Sequence, residues 1–481
     1  MSNNTTNNGK KILITICAIL AIVLVVGLVV FNRVAESGIL TRNKIAMESE
    51  NFEVDGMMMS YFISSTAQPY SQYFSLLGVD TTKSLKDQMY SDEQTWFDYF
   101  ADSASSYVGE VLTLCEYAKA NGIELGETEF ASIDADLKAF EENAASAGYT
   151  LDTYLYLVFG SGMQVEDIRN CLELTTLADI AYTAYVESTD YTEEELLAYR
   201  DANPDSFKGV DYIAYTLKAS DFTVFEDSVS VSTDEEDIAA LEATADKLNK
   251  AQTVEEFKSI LVDFFAANHA DHEGHDENEF AQTAEDALIR HALKSDLGED
   301  IAAWAFAAKI GETKLVKNDA GDEITVYMLA NTAYIDESLT RNVRQILLSS
   351  ETYKDDTKVN EVYAEWEAED FSEEKFIALE YLYNEDEGSK GNAGEYENLA
   401  YGQTVTEFNN WLFSEERQVG DHDIVETTYG WHIMQYLGES DVPAWQANAK
   451  EFKASDDYQA FIKAGQEKVT THENVINGLD Y

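Results

Sequence analysis

Hydrophobic and polar positions change their spacing several times along the chain. A run without charged residues, Ile12–Phe31, comes first. From about residue 35 to residue 207, apolar residues recur every three to four positions, the spacing of amphipathic helices. From residue 210 onward, short alternating segments typical of strands are interleaved with helical segments. The pattern therefore predicts an α+β protein that has an apolar segment, then a helical region, then a region containing strands.

The helical region is expected to start several helices with recognisable caps. Ser91-Asp92-Glu93-Gln94 and Thr192-Glu193-Glu194-Glu195 both fit the capping-box pattern, in which a hydroxyl and a carboxylate satisfy the first backbone amides. We interpret Met57, Met58 and Met59 as core residues, with an adaptable apolar binding surface as the alternative. The predicted helices are Val54–Leu77, Ser91–Asn121, Glu127–Ala147, Leu151–Phe159, Val165–Glu187 and Thr192–Asn203.

The region containing strands shows the same order of features twice, a weak internal repeat of about 110–130 residues. Each copy has an alternating strand, a helical part, a Trp-x-Phe sequence, a glycine and a second strand. The predicted strands are Val210–Leu217, Ile324–Leu329, Val343–Leu348 and Trp431–Leu437. The predicted helical parts are Asp237–Phe265, Asp286–Leu297 and Lys358–Leu382, and an amphipathic helix at about Ala444–Val469 follows.

The apolar run Ile12–Phe31 is long enough to cross a membrane as a helix. At about 1.5 Å per residue it spans roughly 30 Å, the thickness of one bilayer core. Lys10 and Lys11 precede it, which predicts that residues 1–11 are cytoplasmic and that the rest of the chain lies outside. A cleaved signal peptide would need an A-x-A-like site after the run, and no good one follows it. A lipoprotein signal would need a small residue just before Cys17, where Ile16 stands instead. An uncleaved single-pass anchor is therefore expected over residues 12–31.

The charge of the chain excludes some classes of partner. It has 91 acidic and 32 basic residues, a net charge of −59, and its first 33 residues contain no acid. Such an acidic body repels nucleic acid phosphates, so no nucleic acid partner is expected. The same charge can attract cationic segments of other polypeptides or divalent cations.

The histidines and cysteines give weaker indications. His269, His272 and His275 lie among acidic residues, where a solvated loop is favoured over a metal site because the spacing fits no defined ligand set. Cys115 and Cys171 leave two alternatives, a disulfide or two buried free thiols, and the free thiols are favoured.

The most specific motif lies between Val343 and Leu437. It begins with Val343-Arg344-Gln345-Ile346-Leu347 and ends with Thr427-Thr428-Tyr429-Gly430-Trp431-His432-Ile433. Between them lie the segments Asn384–Ser389, Gly394–Leu399, Gly402–Thr404 and Phe408–Phe413. This ordered set resembles the parvulin family of peptidyl-prolyl isomerases. The corresponding family patterns are V-R-H-I-L, S-x-D-x-x-S, G-D-L-G-x-F, G-x-M and T-x-x-G-x-H-I.

The resemblance implies two groups of site residues. The group that binds the proline ring of a substrate would consist of Phe408, Phe413, Thr404 and Tyr396. The catalytic, hydrogen-bonded group would consist of Glu387, His432, Gln345 and Thr427, with Asp386 as the alternative to Glu387. The resemblance implies neither a metal nor a cofactor, because rotation about a peptide bond breaks no bond.

Three positions depart from the family pattern. Gln345 replaces the first of two histidines; its amide can hydrogen-bond His432, but it cannot titrate near neutral pH. Thr404 replaces a methionine and makes that wall of the pocket smaller and more polar, while Tyr396 replaces a leucine. These changes affect the expected isomerase activity more than the expected fold.

The order of regions resembles extracytoplasmic folding factors of the SurA and PrsA type. The expected domains are a helical, chaperone-like domain at 35–208, a degenerate parvulin-like domain at 209–335, a parvulin-like isomerase domain at 339–439 and a C-terminal helix at 440–481 that packs on the helical domain. The implied function is a membrane-anchored foldase, located outside the cytoplasm, that acts on unfolded or partly folded exported polypeptides. The alternatives are a catalytically inactive holdase and a cell-surface scaffold protein.

Overall fold

The structure is a computed structural model that describes residues 41–223, 225–226, 229–230, 232–269 and 277–479. The chain divides into two compact units: one contains the residues up to Asp190 and those from Ala454 onward, and the other is Tyr191–Lys453. The predicted anchor at residues 12–31 and the loop with His272 and His275 lie outside the described residues. Within the described residues, no helix is long and apolar enough to cross a membrane.

The first unit is mainly helical and begins with a small sheet. Its first elements are β1 (Ile45–Glu48), β2 (Glu53–Asp55), α1 (Gly56–Ala67), α2 (Trp96–Asn121), α3 (Glu127–Ser146), α4 (Leu151–Phe159) and α5 (Val165–Ser188). The predicted helix Val54–Leu77 is too long, because Asp55 caps α1 through the backbone amides of Met57 and Met58, and a 3-10 turn takes over at Gln68, just before Pro69. The predicted cap at Ser91 is also wrong. Thr95 and Asp98 form the capping box of α2 instead.

The core of the first unit contains the methionines and cysteines of this region. Met57, Met58 and Met59 are all buried in it, which confirms their interpretation as core residues. Cys115 and Cys171 are buried free thiols, as favoured from the sequence. Burial raises the pKa of Cys115 to about 12 and raises that of Cys171 well above its usual value.

The second unit begins with α6 (Glu193–Ala202) and an antiparallel four-stranded sheet in the order β6-β3-β8-β7. The elements of this part are β3 (Lys208–Lys218), β4 (Phe225–Glu226), β5 (Val229–Ser230), α7 (Asp234–Leu248), α8 (Val254–His269), α9 (Glu277–Asp286), β6 (Leu288–Leu293), α10 (Glu299–Ala305), β7 (Thr313–Lys317) and β8 (Glu323–Ile335). Helices α7 and α8 bury Leu241, Leu248 and Phe257 in the core that this sheet supplies. The Thr192–Glu195 capping box of α6 is confirmed.

The predicted helix Asp286–Leu297 is wrong. Residues Leu288–Leu293 form β6, which pairs with β3 in antiparallel register, with Val210 opposite Ala292 and Ile213 opposite Leu288. Tertiary pairing with a distant strand overrides the local preference of a short apolar segment. The helix of this region is α9, which ends at Asp286 where the prediction begins.

A second antiparallel four-stranded sheet follows, in the order β10-β9-β12-β11. Its elements are β9 (Leu339–Ser349), α11 (Thr357–Glu367), α12 (Glu373–Tyr383), β10 (Glu395–Leu399), α13 (Thr406–Leu412), β11 (His422–Thr427) and β12 (Gly430–Pro443). Ile346 and Leu348 of β9 pack with α11 and α12 on one face, around the buried Trp366. Val343 of β9 and Met434 of β12 pack with α13 on the other face.

The last elements are α14 (Ala444–Gln466), β13 (Thr470–Thr471) and α15 (Glu473–Ile476). Within the second unit, Trp445 and Ala449 of α14 pack with Leu196 and Phe207. Within the first unit, Ile462 packs with Val111 and Ala178, and β13 pairs with β1. The predicted helix Ala444–Val469 is therefore confirmed, and the domain boundaries derived from the sequence stay predictions.

Candidate functional site

The candidate site lies on the face of the second sheet that α13 covers. Because side chains alternate along a strand, Gln345 shares this face with Val343, whereas Ile346 points into the opposite core. On the neighbouring strand β12, Met434 lies opposite Gln345 and His432 lies opposite Leu347. Gln345 and His432 are therefore diagonal neighbours on one face of the sheet.

A hydrogen-bonded row of side chains forms the floor of the site. Nδ1 of His432 lies 3.0 Å from Oε1 of Gln345, and Nε2 of His432 lies 2.9 Å from Oγ1 of Thr427. Gln345 and His432 are both buried, and Thr427 is half-buried at the end of β11. The structure thus brings together three of the four residues predicted as the catalytic group.

Asp386 is the carboxylate of this row. Its Oδ2 accepts hydrogen bonds from Nε2 of Gln345 at 2.6 Å, from Oγ of Ser389 at 2.7 Å and from the phenol of Tyr396 at 2.7 Å. Glu387 is exposed beside it. The structure therefore places Asp386, rather than Glu387, against the other predicted catalytic residues.

The carboxylate fixes the direction of every hydrogen bond in the floor. A carboxylate only accepts, so the amide nitrogen of Gln345 must face Asp386 and its carbonyl must face His432. Nδ1 of His432 then carries the proton, and Nε2 accepts from the hydroxyl of Thr427. Burial lowers the pKa of His432 to about 4, although Asp386 opposes this shift. The imidazole is therefore neutral at physiological pH.

Glycines hold the backbone close to this floor. Gly430 precedes His432 by two residues and has a φ of 133°. A Cβ at this position would overlap the backbone carbonyl of Leu348 on β9. At Gly394, with a φ of 72°, a Cβ would overlap the backbone carbonyl of Gln345. Only glycine fits such positions, so both motif glycines are required by close approach of the backbone.

Three of the predicted proline-binding residues belong to the apolar cluster that packs on this face of the sheet. Phe408 on α13 is buried, and its ring lies edge-to-face with His432 at a centroid distance of 5.5 Å. Phe413 and Tyr396 pack against the same apolar cluster. Thr404 lies just before α13, and its hydroxyl is buried without a hydrogen-bond partner in the described part of the chain. The floor and Phe408 are in direct contact, and the roles of these residues remain predictions.

Residues missed by the sequence analysis complete the site. Ser389 and Asn384 are buried; Ser389 accepts from Gln345 at 2.7 Å, and Asn384 binds Ser389 at 3.1 Å. Both occupy the serine positions of the S-x-D-x-x-S pattern, which was the available signal. Among the described residues, no group of histidine, cysteine and acidic side chains could hold a metal ion.

The comparisons with known proteins place this site in a family domain. Residues 327–439 match the family model described as PPIC-type PPIASE domain. A 98-residue part is 37% identical to Foldase protein PrsA 3 of Bacillus cereus, covering 19% of this chain and 34% of that protein. A 100-residue part is 35% identical to Foldase protein PrsA 3 of Bacillus anthracis, covering 19% and 35%. The chain thus matches about a third of the length of these curated relatives.

Solved structures that are similar to this chain include peptidylprolyl isomerase (PrsA) from Bacillus anthracis. The TM-score is 0.21 at 14% identity, covering 56% of this chain and 96% of that chain. Foldase protein PrsA from Streptococcus pneumoniae gives a TM-score of 0.21 at 13% identity, covering 52% and 79%. TM-scores this low do not support an assignment of the fold. The assignment therefore depends on the family model and the curated relatives. These confirm the resemblance to parvulin-type isomerases and PrsA-like foldases, and the membrane anchor stays a prediction.

Proposed function

We propose that the parvulin-type PPIase domain at residues 327–439 catalyses cis–trans isomerisation of X-Pro peptide bonds. The observation that carries this proposal is a hydrogen-bonded row directly beneath the ring of Phe408. The row consists of Thr427, His432, Gln345 and Asp386. The site combines an apolar cluster, which we propose as the pocket for the proline ring, with an ordered polar floor beside it. The finer assignment of roles to single residues belongs to this proposal.

The reaction requires only that the twisted peptide bond be bound more tightly than the planar one. Amide resonance sets a barrier of about 18–20 kcal/mol to rotation, and no bond breaks. Phe408 and Phe413 would hold the ring in a site from which water is excluded, which favours the less polar twisted amide. Asp386 would lie near the carbonyl that precedes the proline, held in place by Gln345 and Tyr396.

His432 would support this site without transferring protons. Its pKa of about 4 keeps the ring neutral, and both its nitrogens are engaged, with Gln345 and Thr427. It would fix the position of Gln345 below and present an edge to Phe408 above. The rate should then depend on the geometry of His432 and little on its protonation.

For the whole chain we propose a foldase that acts on unfolded or partly folded exported polypeptides. The relatives named as foldase proteins support this assignment. The uncharged run Ile12–Phe31, preceded by Lys10 and Lys11, supports single-pass anchoring with the acidic body outside the cytoplasm. The net charge of −59 would favour cationic client segments and keep the foldase itself soluble.

A prolyl tetrapeptide isomerisation assay on the purified full-length protein tests the catalytic proposal. We expect acceleration above the uncatalysed rate, with large losses in Phe408→Ala and His432→Ala. Equal rates for wild type, both variants and buffer would eliminate isomerase activity. Suppression of client aggregation, measured in parallel, would then favour a holdase, the second candidate suggested by Gln345 in place of a titratable histidine.

A further inference from the structure

Two side chains from the first part of the second unit contact residues beside the candidate site. We call residues 208–335 the first lobe and residues 339–443 the second lobe. Oδ1 of Asp286 in the first lobe accepts a hydrogen bond of 2.8 Å from Nδ2 of Asn410 in the second. The guanidinium of Arg290 in the first lobe lies 5.6 Å from the ring centroid of Tyr401 in the second. Asp286 ends α9 and Arg290 belongs to β6, so separate elements make these contacts.

Both contacts reach elements that carry the pocket. Asn410 lies on α13, two residues after Phe408. The ring of Tyr401 lies edge-to-face with Phe413 at a centroid distance of 5.4 Å. The guanidinium of Arg341 also lies 5.4 Å from the ring centroid of Phe413. Cations and aromatic rings therefore alternate in one row of contacts, from Arg290 through Tyr401 and Phe413 to Arg341.

The turn that carries Tyr401 is also tied to α13. The backbone amide of Gly402 donates to Oδ1 of the buried Asn409 at 2.7 Å, and the amide of Ala400 donates to Oε1 of Gln403 at 2.8 Å. A displacement of the turn would therefore be transmitted to the helix that bears Phe408. The first lobe contacts this hydrogen-bonded assembly at two points.

We infer that the first lobe completes the proline pocket, with Arg290 and Asp286 acting as positioning residues that set the affinity of the second lobe for prolyl peptides. The inference rests on the proposed function of the pocket. It gives the first lobe a role in the reaction without a catalytic group of its own. Neither side chain touches the rotating bond, so both would act through the aromatic wall and α13.

We expect the loss of Arg290 or Asp286 to weaken peptide binding moderately and to leave kcat unchanged. Arg290 is exposed, and a cation–ring contact made by an exposed cation contributes little compared with a buried contact. Without Arg290 or Asp286, the aromatic side chains and α13 would sample more positions in the free protein. Peptide binding would then be weaker because the binding residues are less well ordered. Once a peptide fills the pocket, the rate of rotation is unchanged. The predicted signature is a higher KM at constant kcat.

The test uses the full-length protein and a proline-containing tetrapeptide as the probe. We would measure kcat and KM, together with the dissociation constant of the peptide, for Arg290→Ala, Arg290→Lys and Asp286→Ala. Lys317→Ala is the matched control, because Lys317 is also a surface cation of the first lobe, paired with Glu242 at 2.7 Å and not with the second lobe. Thermal unfolding of each variant establishes that it folds, and Asp286→Asn replaces Asp286→Ala if the latter does not.

Arg290→Ala and Asp286→Ala should raise KM and the dissociation constant about two- to fivefold, with kcat unchanged. Arg290→Lys should recover most of the affinity, and Lys317→Ala should match the wild type. An active wild type whose Arg290 and Asp286 variants keep the wild-type KM would overturn this inference alone. If the wild type binds peptide without turnover, the dissociation constants decide; if it does neither, the proposed function fails, and this inference with it.

Discussion

Oε1 of Gln345 accepts a hydrogen bond from Nδ1 of His432, with 3.0 Å between the two atoms, in the buried floor of the pocket. An amide therefore occupies a position where the related family pattern has an imidazole. The exchange keeps the hydrogen bond and removes one titratable group. Asp386 fixes the orientation of the amide of Gln345, because a carboxylate only accepts. It thereby determines which atom donates and which accepts in each hydrogen bond of the row.

The first prediction concerns the protonation of His432. At pH 7 the imidazole should be the neutral Nδ1–H tautomer, because Gln345 presents a carbonyl to Nδ1. It should titrate near a pKa of about 4, because burial disfavours the cation. Nitrogen-15 NMR of the histidine side chains, with His432→Gln to assign the resonance, measures both properties. A pKa near the ordinary 6.5 would contradict the prediction.

The same shift makes stability depend on pH. The pKa of His432 is about 4 in the folded state against 6.5 in the unfolded chain, so the unfolded chain takes up the proton first as the pH falls. Above pH 6.5 the protonation of His432 does not lower the free energy of unfolding. Between pH 6.5 and about 4 that free energy falls by up to about 3 kcal/mol. Denaturant unfolding at pH 7.5 and pH 4.5 should show a larger loss for the wild type than for His432→Gln.

The second prediction separates two neighbouring carboxylates. Asp386→Ala should reduce kcat/KM by about tenfold or more, because three donors lose their common acceptor and the floor loses its order. Glu387→Ala removes an equal charge from an exposed neighbour and should change kcat/KM by less than about twofold. Isomerase kinetics on the two variants decide between them. The reverse ranking would restore Glu387 as the catalytic carboxylate.

The third prediction concerns the pocket wall. Phe408→Ala should lower kcat/KM by about tenfold or more and destabilise the protein by about 3–5 kcal/mol, because it empties a buried aromatic site. Phe408→Leu should recover much of the stability and less of the activity. Tyr381→Ala, at a side chain 79% exposed on α12, serves as the control and should leave both unchanged. Wild-type kinetics in Phe408→Ala would place the proline ring elsewhere.

The fourth prediction tests the turn before His432. Gly430→Ala should cost at least about 2 kcal/mol, since its φ of 133° and the nearby carbonyl of Leu348 leave no place for a methyl group. The same change at Gly298, where φ is −60° and nothing lies within 4 Å, should cost less than about 1 kcal/mol. Calorimetric unfolding of both variants makes the comparison. Equal costs would show that the turn can relax.

The sequence predicts the second sheet well, because each of its central strands is read from local alternation and from ordered motif residues. Val343–Leu348 and Trp431–Leu437 fall inside β9 and β12. The strands β1 and β6 escape such analysis. β1 pairs with Thr470 and Thr471, far away in the chain, and β6 becomes a strand only because β3 lies beside it. Long-range pairing leaves no local signal in segments this short.

The residues of the candidate site are likewise predicted only in part from the sequence. Gln345, His432, Thr427 and Phe408 are predicted to belong to one site, and the structure brings them together. The choice between Asp386 and Glu387 depends on which way a loop turns its side chains. In the structure, Asn384 sets that turn by accepting hydrogen bonds from the backbone amides of Leu347 and Asp386. Neighbouring acids in a loop cannot be distinguished by spacing.

The two buried thiols of the first unit have a consequence for reactions with thiols and disulfides of other polypeptides. Thiol–disulfide exchange requires a thiolate, and the raised pKa of Cys115, about 12, leaves almost none at neutral pH. Burial also raises the pKa of Cys171 well above its usual value, so this thiol too stays protonated at neutral pH. Under the proposed function, the chain would meet unfolded polypeptides whose own cysteines are exposed. Neither Cys115 nor Cys171 would then form mixed disulfides with those polypeptides, so a bound polypeptide would not become covalently trapped.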